Sequence, residues 1–174
     1  GYKKWATKFN LKEMSKTLLF LQEQKIGSAE ELRERATAAT ERYHAMGDSI
    51  KAAEARLTEI AVLKTHIINY AKTRSVYDAY RKSGYSKKYL AQHEAELATY
   101  RTAKDTMNTI LNGAKLPKIE ALKKSRRKLA GQKKELYAEY REAQRQMREA
   151  VAIKANIDHL LGITDERENK AQER

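Results

Sequence analysis

The chain has 174 residues, and its 36 Lys and Arg outnumber its 23 Asp and Glu, which gives a net charge of +13. It contains no Cys, which excludes disulfides and thiolate metal sites, and no apolar run approaches the roughly 18 residues of a membrane-spanning helix. Only one Pro and seven Gly interrupt a composition rich in Ala, Glu, Lys, Leu, Arg and Gln, so we expect an all-α fold of few, long helices.

The first predicted helix spans residues 11–24. Asn10 and Glu13 are three positions apart and have the residue types of a reciprocal cap at a helix start. An apolar stripe at helical spacing follows and consists of Leu11, Met14, Leu18 and Leu21. Gly27 suits the position just past a helix end, so we expect a tight corner between this helix and the next.

The second predicted helix, residues 29–82, has the most regular pattern in the sequence. Ser28 and Glu31 form a capping box at its start, and Ser83-Gly84 marks its end. A 3-4 alternation typical of a coiled coil continues through it over six heptads. This seam consists of Ala29, Leu32, Ala36, Ala39, Tyr43, Met46, Ile50, Ala53, Leu57, Ile60, Lys64, Ile67 and Ala71. Gly47 lies off the seam and predicts a soft spot that costs about 1 kcal/mol, not a helix end.

The third predicted helix spans residues 87–111, after Ser86 and before Asn112-Gly113. Its apolar positions are Leu90, Leu97, Met107, Ile110 and Leu111, with Tyr100 beside them. The fourth spans residues 117–161, because Pro is well tolerated at a first helical position and Gly162 suits an end. We expect residues 163–174 to be a frayed tail.

The fourth helix carries a second seam, widened by Ala130, Tyr137, Val151, Ile153 and Leu160. The seam itself consists of Ile119, Leu122, Arg126, Leu129, Lys133, Leu136, Tyr140, Ala143, Met147, Ala150, Lys154, Ile157 and Leu161. These lengths predict one elongated domain over residues 1–174, an antiparallel coiled coil or helical bundle of two long helices and two shorter ones. In the simplest topology the second and fourth helices pair, the third packs near their connected end and the first on the opposite end. An up-down-up bundle is the alternative.

The charge excess is concentrated in two stretches. Residues 70–89 hold six cations against Asp78, and residues 112–134 hold nine against Glu120, which accounts for the whole excess. In the simplest topology both stretches meet in one basic tip that binds nucleic acid. Its predicted contact residues are Lys72, Arg74, Arg81, Lys82, Tyr85, Lys87, Lys88, Tyr89, Lys115, Lys118, Lys123, Lys124, Arg126, Arg127 and Lys128. The alternative for residues 123–128 is a solvated coiled-coil flank. Insertion into an anionic membrane surface is disfavoured, because no apolar face is left free nearby.

Five tyrosines alternate with the cations of residues 70–89. Aromatic rings stack on unpaired bases, which favours single-stranded or distorted nucleic acid. The alternative is that Tyr70, Tyr77 and Tyr80 share a helix face and are core residues, and we favour it for these three. Tyr85 and Tyr89 lie beside a Gly turn and are the better candidates for exposure.

No pattern indicates catalysis. The four histidines, His44, His66, His93 and His159, have no partner at metal-ligand spacing, and no phosphate loop, nucleophile elbow or zinc-protease motif occurs. The carboxylates alternate with Lys and Arg at helical spacing, as on solvated helix faces. We therefore expect no catalytic residue, metal or cofactor, and a chain that is not an enzyme.

Several separated blocks of the chain resemble the C-terminal helical region of bacterial relaxases, the mobilization proteins of conjugative transposons and plasmids. The blocks lie at Lys4-Trp-Ala, at residues 10–23, at Ile26-Gly-Ser, at residues 60–74 and at residues 80–90. Full-length relaxases nick one DNA strand at the transfer origin through a tyrosine nucleophile and a histidine-bound divalent metal. The histidine-rich motif is not found here, so the resemblance transfers no catalytic residue to this chain.

The resemblance implies a cytoplasmic bacterial protein that acts in conjugative DNA transfer. Because the chain begins with Gly1 rather than Met, we interpret it as part of a longer protein. Its partner would be DNA, either single-stranded or at the origin of transfer. The alternative is a coiled-coil module for protein interaction or oligomerisation, which docks to a coupling protein, to other relaxosome components or to a second copy in a homodimer. The Ala-rich seam positions favour close helix approach in that case.

Overall fold

A computed structural model describes the backbone of residues 2–172 and the side chains of residues 10–162. The described backbone forms five helices and no strand, which confirms the all-α prediction. The helices are α1 (Tyr2–Glu23), α2 (Ala29–Lys82), α3 (Lys87–Gln92), α4 (Glu94–Leu111) and α5 (Ile119–Gln172). In this described part, no helix is both long and apolar enough to cross a membrane.

Several helix bounds differ from the prediction. Helix α1 begins at Tyr2 and not at residue 11, so Asn10 lies inside the helix and is not its cap. The third predicted helix is two helices, because His93 leaves the helical region at φ −125° and separates α3 from α4. Helix α5 begins at Ile119 and passes through Gly162 to Gln172, so the predicted end at residue 161 and tail from residue 163 differ from the structure. A helical Gly costs only about 1 kcal/mol relative to Ala, and a long helix absorbs that cost. Residues 173 and 174 of the predicted tail lie outside the described residues.

The corner between α1 and α2 is closed by backbone hydrogen bonds and by the carboxylate of Glu31, which accepts from the N–H of Gly27. The N–H of Ile26 donates to Leu21 at 2.9 Å and that of Lys25 donates to Gln22 at 3.2 Å, which is a Schellman ending. Lys25, at φ 54°, therefore takes the left-handed position that we had assigned to Gly27. The Ser28 hydroxyl caps α2 as predicted, by accepting from the N–H of Glu31 at 3.1 Å.

The chain divides into two compact units. Unit 1 consists of Gly1–Ser49 and Leu136–Arg174, and unit 2 consists of Ile50–Glu135. Both units contain parts of α2 and α5. Whether residues 1–174 behave as a single domain stays a prediction.

In unit 1, the first part of α2 packs antiparallel on the last part of α5. The rings of Tyr43 and Tyr140 stack with centroids 4.9 Å apart, and their hydroxyl oxygens are 2.8 Å apart. The buried apolar side chains here are Leu32, Ala36, Ala143, Ala150 and Ile153. Helix α1 lies beside α5, where the buried Thr17 hydroxyl accepts from Nδ2 of Asn156 at 3.2 Å.

The apolar stripe of α1 does not face this core. Leu11 is 62% exposed, Leu18 is 64% exposed and Met14 is also exposed, whereas Thr17 is 1% exposed. An apolar stripe normally faces the core of a globular protein. Thr17 instead faces α5, where it accepts a hydrogen bond from Asn156, and Leu11, Met14 and Leu18 remain uncovered by the described residues.

In unit 2, three helices share one core. Ile60 and Leu63 of α2 pack with Met107 of α4 and Leu122 of α5, and all four are at most 5% exposed. Within this unit, Leu122 of α5 packs with Ile60 and the later Lys133 pairs with the earlier Glu54, so α2 and α5 run antiparallel. Helix α4 also runs antiparallel to α2, since its Tyr100 stacks on Tyr77 and its later residue Met107 packs with the earlier Leu63.

Candidate nucleic-acid interface

The charge of the chain is distributed unevenly between the two units. Unit 2 has 20 Lys and Arg against 8 Asp and Glu, a net charge of +12, whereas unit 1 has 16 against 15, a net charge of +1. Every residue that the sequence predicted as a nucleic-acid contact belongs to unit 2. All of them are exposed except Tyr89, which is half-buried.

A basic groove opens in unit 2 where cations occupy two positions of the heptad seams. Lys64 on α2 and Arg126 on α5 stand where a coiled coil normally places apolar side chains. A charged head group keeps its contact with water instead of filling the seam, so the helices leave a groove between them. Lys123 and Arg127 complete its charged rim, while its floor is formed by Ile60, Ala61, Ile68 and Leu122.

The cations of this groove are only partly neutralised. Lys123 Nζ lies 2.9 Å from Glu120, and this hydrogen bond lowers the pKa of that carboxyl, which is therefore ionised at neutral pH. No carboxylate of the described residues lies within 4 Å of Lys64, Arg126 or Arg127. The groove therefore presents three cations without a paired carboxylate above an apolar floor.

Neighbouring predicted residues extend this positive surface. Lys124 and Lys128 are exposed on α5, and Lys115 and Lys118 are exposed in the loop before it. Within the described part of the chain, none of these four has an acidic group within 4 Å. Exposed, unpaired ammonium groups are the type of group that neutralises phosphates.

A second group of cations surrounds the turn between α2 and α3. The N–H of Tyr85 donates to Tyr80 and that of Gly84 donates to Arg81, both at 3.1 Å, which ends α2 in a Schellman motif. Gly84 at φ 68° and Tyr85 at φ 61° both adopt the left-handed conformation. This geometry leaves Tyr85 54% exposed, as predicted, while its ring meets that of Tyr80 at its edge, with centroids 5.3 Å apart. We call the following residues the turn cluster: Arg81, Lys82, Tyr85, Lys87 and Lys88.

Most of the tyrosines near this turn are packing residues. The Tyr100 ring stacks on Tyr70 and Tyr77, with centroids 5.1 and 4.1 Å away, and Tyr80 is 7% exposed. This confirms the core interpretation for Tyr70, Tyr77 and Tyr80. Tyr89, predicted to be exposed, is instead half-buried, because its ring stacks 4.3 Å from that of His93.

Burial changes the acidity of the central ring of this stack. Desolvation, followed by the hydrogen bond with Tyr70, raises the pKa of Tyr100 to about 12. The neutral phenol is therefore favoured in the folded state. Tyr100 thus acts as a core residue between α2 and α4 and not as a proton donor or acceptor near neutral pH.

The turn cluster is partly shielded by one carboxylate. Asp78 lies 3.9 Å from Arg74 and 3.8 Å from Arg81. Both contacts are long and exposed, and such pairs contribute at most about 1 kcal/mol. Among the described residues, Lys72 and the turn cluster's three lysines have no carboxylate within 4 Å.

The structure places the two basic stretches in separate clusters and not in one tip. Lys64 in the groove and Lys82 at the turn are 18 residues apart on α2, which corresponds to about 27 Å. The separation arises because α5 starts beside Ile60 and Leu63 and not beside the end of α2. The sequence prediction did not include Lys64 among the contact residues, although it lines the groove. A lysine at a heptad seam position was a signal for it that the sequence contained.

No metal centre is evident in the described part of the chain. No group of three or more His, Cys, Asp or Glu side chains there could hold a metal ion. Among the described histidine side chains, one makes a hydrogen bond: His93 Nδ1 lies 2.6 Å from a carboxylate oxygen of Glu96, at the start of α4. The charged surfaces are therefore the candidate sites.

The comparisons with known proteins identify no family. No family model matches the chain, and neither the curated proteins nor the solved structures contain a match. The relaxase resemblance consequently depends on the sequence blocks alone, and the physical argument for a function depends on the two clusters of cations.

Proposed function

We propose that this chain is a non-catalytic, DNA-binding accessory region of a bacterial relaxase, which acts in the cytoplasm during conjugative DNA transfer. The observation that carries the binding proposal is the net charge of +12 in unit 2, presented by exposed side chains of which most lack a carboxylate partner. Such a surface gains affinity for phosphates by releasing their counterions. The relaxase context is supported by the resemblance of the sequence blocks.

The two clusters suggest different roles in holding DNA. In the groove, Lys64, Arg126 and Arg127 would contact phosphates, and the apolar floor suits the face of a sugar or base. At the turn, the exposed ring of Tyr85 would stack on an unpaired base, an interaction worth about 1–3 kcal/mol. We therefore propose single-stranded or distorted DNA, including DNA at an origin of transfer, as the ligand.

Fluorescence anisotropy with labelled single- and double-stranded oligonucleotides of one sequence tests this function. We expect binding at about 50 mM salt, a preference for the single strand, and a logarithm of the affinity that falls with the logarithm of the salt concentration by about 0.7 per phosphate contact. The absence of binding to either oligonucleotide at this low salt concentration would refute the proposal.

A second candidate function is an oligomerisation or protein-interaction module, favoured by the exposed stripe of α1. Leu11, Met14 and Leu18 present one apolar face that no described residue covers. Such faces in soluble proteins commonly mark interaction sites. The occupant we propose is the same face of a second copy, and a coupling protein or another relaxosome component would be the alternative occupant.

Light scattering distinguishes these occupants. A homodimer should dissociate when Leu11 and Leu18 are both replaced by Glu. Lys12→Glu makes the same change in net charge at an exposed position on another face of α1 and should leave the homodimer intact. A mass that stays monomeric at every concentration would exclude the homodimer.

A further inference from the structure

One face of α2 is left uncovered where α5 ends its contact with it. The seam residues Ile60 and Ile67 are buried or half-buried, whereas Ala71, the next seam position, is exposed. The change follows from the start of α5 at Ile119, since its first buried residue, Leu122, already packs beside Ile60. Helix α2 continues to Lys82, so this face extends beyond the contact with α5.

The uncovered face connects the two basic clusters in a straight line. Lys64 and Lys82 are separated by about five full helical turns, so both lie on the same side of α2. Between them, within about 40° of the same line, lie the exposed Ile68, Ala71 and Ser75 and the half-buried Asp78. Two of these are small residues, so no bulky side chain obstructs the middle of the face.

The charges beside this line are predominantly positive. Lys72 lies at its edge, the basic groove at one end and the turn cluster at the other. The carboxylate on this face, Asp78, is near Arg74 and Arg81, as described above. A flexible polyanion laid along the face would therefore meet cations at both ends and at its edge.

We propose that this face of α2 is a track for one nucleic-acid strand, which binds the basic groove and the turn cluster at the same time. The inference rests on the proposed DNA-binding function and adds the path of the ligand and its minimum length. At about 3.4 Å per nucleotide of a stacked strand, the distance of about 27 Å corresponds to about eight nucleotides, and an unstacked, more extended strand would need fewer. A strand long enough to reach both clusters gains avidity over a strand that reaches one.

A single strand fits this spacing better than a duplex. The positions of the phosphates in a duplex are fixed by its helix, so a duplex meets the two clusters only where these fixed positions match them. A single strand adjusts its spacing freely. The exposed ring of Tyr85 at the end of the track also requires an unpaired base for stacking.

The test is the dependence of affinity on strand length. We would measure binding of oligodeoxyadenylates, whose bases stack, from about 4 to about 16 nucleotides to the full chain. The affinity should rise at least about tenfold as the length passes about eight nucleotides, because the second cluster then becomes reachable. Ser75→Glu, which places a carboxylate in the middle of the track, should remove this rise.

Two control variants separate charge on the track from other effects. Ser75→Gln adds a side chain of similar size without a charge and should keep the rise. Ala55→Glu adds the same charge at an exposed position of α2 on the side opposite Lys64, and it should also keep the rise. Circular dichroism of all three variants should show unchanged helix content, since Glu and Gln are good helix formers.

The outcomes distinguish the track from the function on which it rests. Binding of the longest strand with a smooth length dependence and no effect of Ser75→Glu would overturn the track but leave DNA binding intact. No binding at any length would overturn both. Equal binding of a poly-glutamate peptide of the same charge would assign the face to acidic protein segments and overturn the proposal for a strand.

Discussion

Units 1 and 2 are built from the same two long helices, but they treat their charges differently. In unit 1, Arg145 lies between Glu142 at 2.7 Å and Glu149 at 3.2 Å, and the net charge is close to zero. In unit 2, Arg126 and Arg127 line a groove with no carboxylate of the described residues within 4 Å. The same helical scaffold thus balances its surface charge in one unit and leaves it cationic in the other.

Matched core substitutions test whether the two units differ only in charge or also in how well their cores are packed. Leu32 in unit 1 and Leu97 in unit 2 are both 1% exposed. We expect Leu32→Ala and Leu97→Ala each to lower the free energy of unfolding by about 3 kcal/mol, from lost burial and the remaining cavity. Urea denaturation followed by circular dichroism measures this. A loss below about 1 kcal/mol in either variant would show that its core is not packed as described.

Removing charge from one unit at a time sharpens the comparison in binding. We expect replacement of five unit 2 cations by Gln to weaken binding of a single strand at least about 100-fold at about 50 mM salt, because each lost phosphate contact forfeits counterion release. These five are Lys123, Lys124, Arg126, Arg127 and Lys128. The matched control replaces five exposed unit 1 cations by Gln, namely Lys12, Arg33, Arg35, Arg141 and Arg148. Anisotropy should show less than about a tenfold effect for the control, and equal losses in both variants would contradict a localised site.

A pH titration examines the tyrosine stack that supports the turn cluster. The pKa of Tyr100 is raised to about 12 in the folded protein, against about 10 for a tyrosine in an unfolded chain. The stability that its neutral form contributes is therefore complete below about pH 10 and is lost as the pH rises through about 12. Urea denaturation across this range should show a steeper decline for the wild type than for Tyr100→Phe. Identical declines would argue against burial of the phenol.

The smallest expected effect concerns the one seam cation of unit 2 that has a carboxylate partner across the helices. Lys133 Nζ lies 2.8 Å from Glu54, and both side chains are partly exposed. Because exposed pairs contribute little, Glu54→Gln should lower the free energy of unfolding by less than about 1 kcal/mol. Glu135→Gln, at an exposed position, makes the same change in net charge and should have a smaller effect. Thermal denaturation of the two variants measures the difference between their stabilities. Equal stabilities would show that the Lys133–Glu54 ion pair contributes nothing, so that Lys133 would not differ in this respect from Arg126.

Regular, local signals predicted much of this fold. The capping box at Ser28 and the Ser83-Gly84 signal predicted the bounds of α2, and the Ser86 hydroxyl caps α3 by accepting from the N–H of Tyr89, as its position suggested. Helical spacing also identified Tyr70, Tyr77 and Tyr80 as packing residues. These features depend on residues a few positions apart, so a single sequence contains the information.

The features that the sequence did not predict depend on tertiary contacts. His93 breaks a helix without a Gly or Pro, and α1 turns Thr17 towards α5 instead of its apolar stripe, in a contact with Asn156, 139 residues away. The separation of the basic clusters depends on where α5 starts beside α2, which the loop before α5 sets. The composition located the charge in the sequence, but only the packing showed that it forms two clusters.

The most direct test of the central claim is to locate the lysines that a bound strand protects from chemical acylation. With an oligodeoxythymidylate of about 16 nucleotides in excess, mass spectrometry should show reduced modification of Lys64, Lys124 and Lys128 in unit 2. Lys12 and Lys25 in unit 1 should be modified as in the free protein, since both are exposed in either case. Protection of the unit 1 lysines to the same extent, or no protection in unit 2, would contradict a binding surface formed by the uncompensated charge of unit 2.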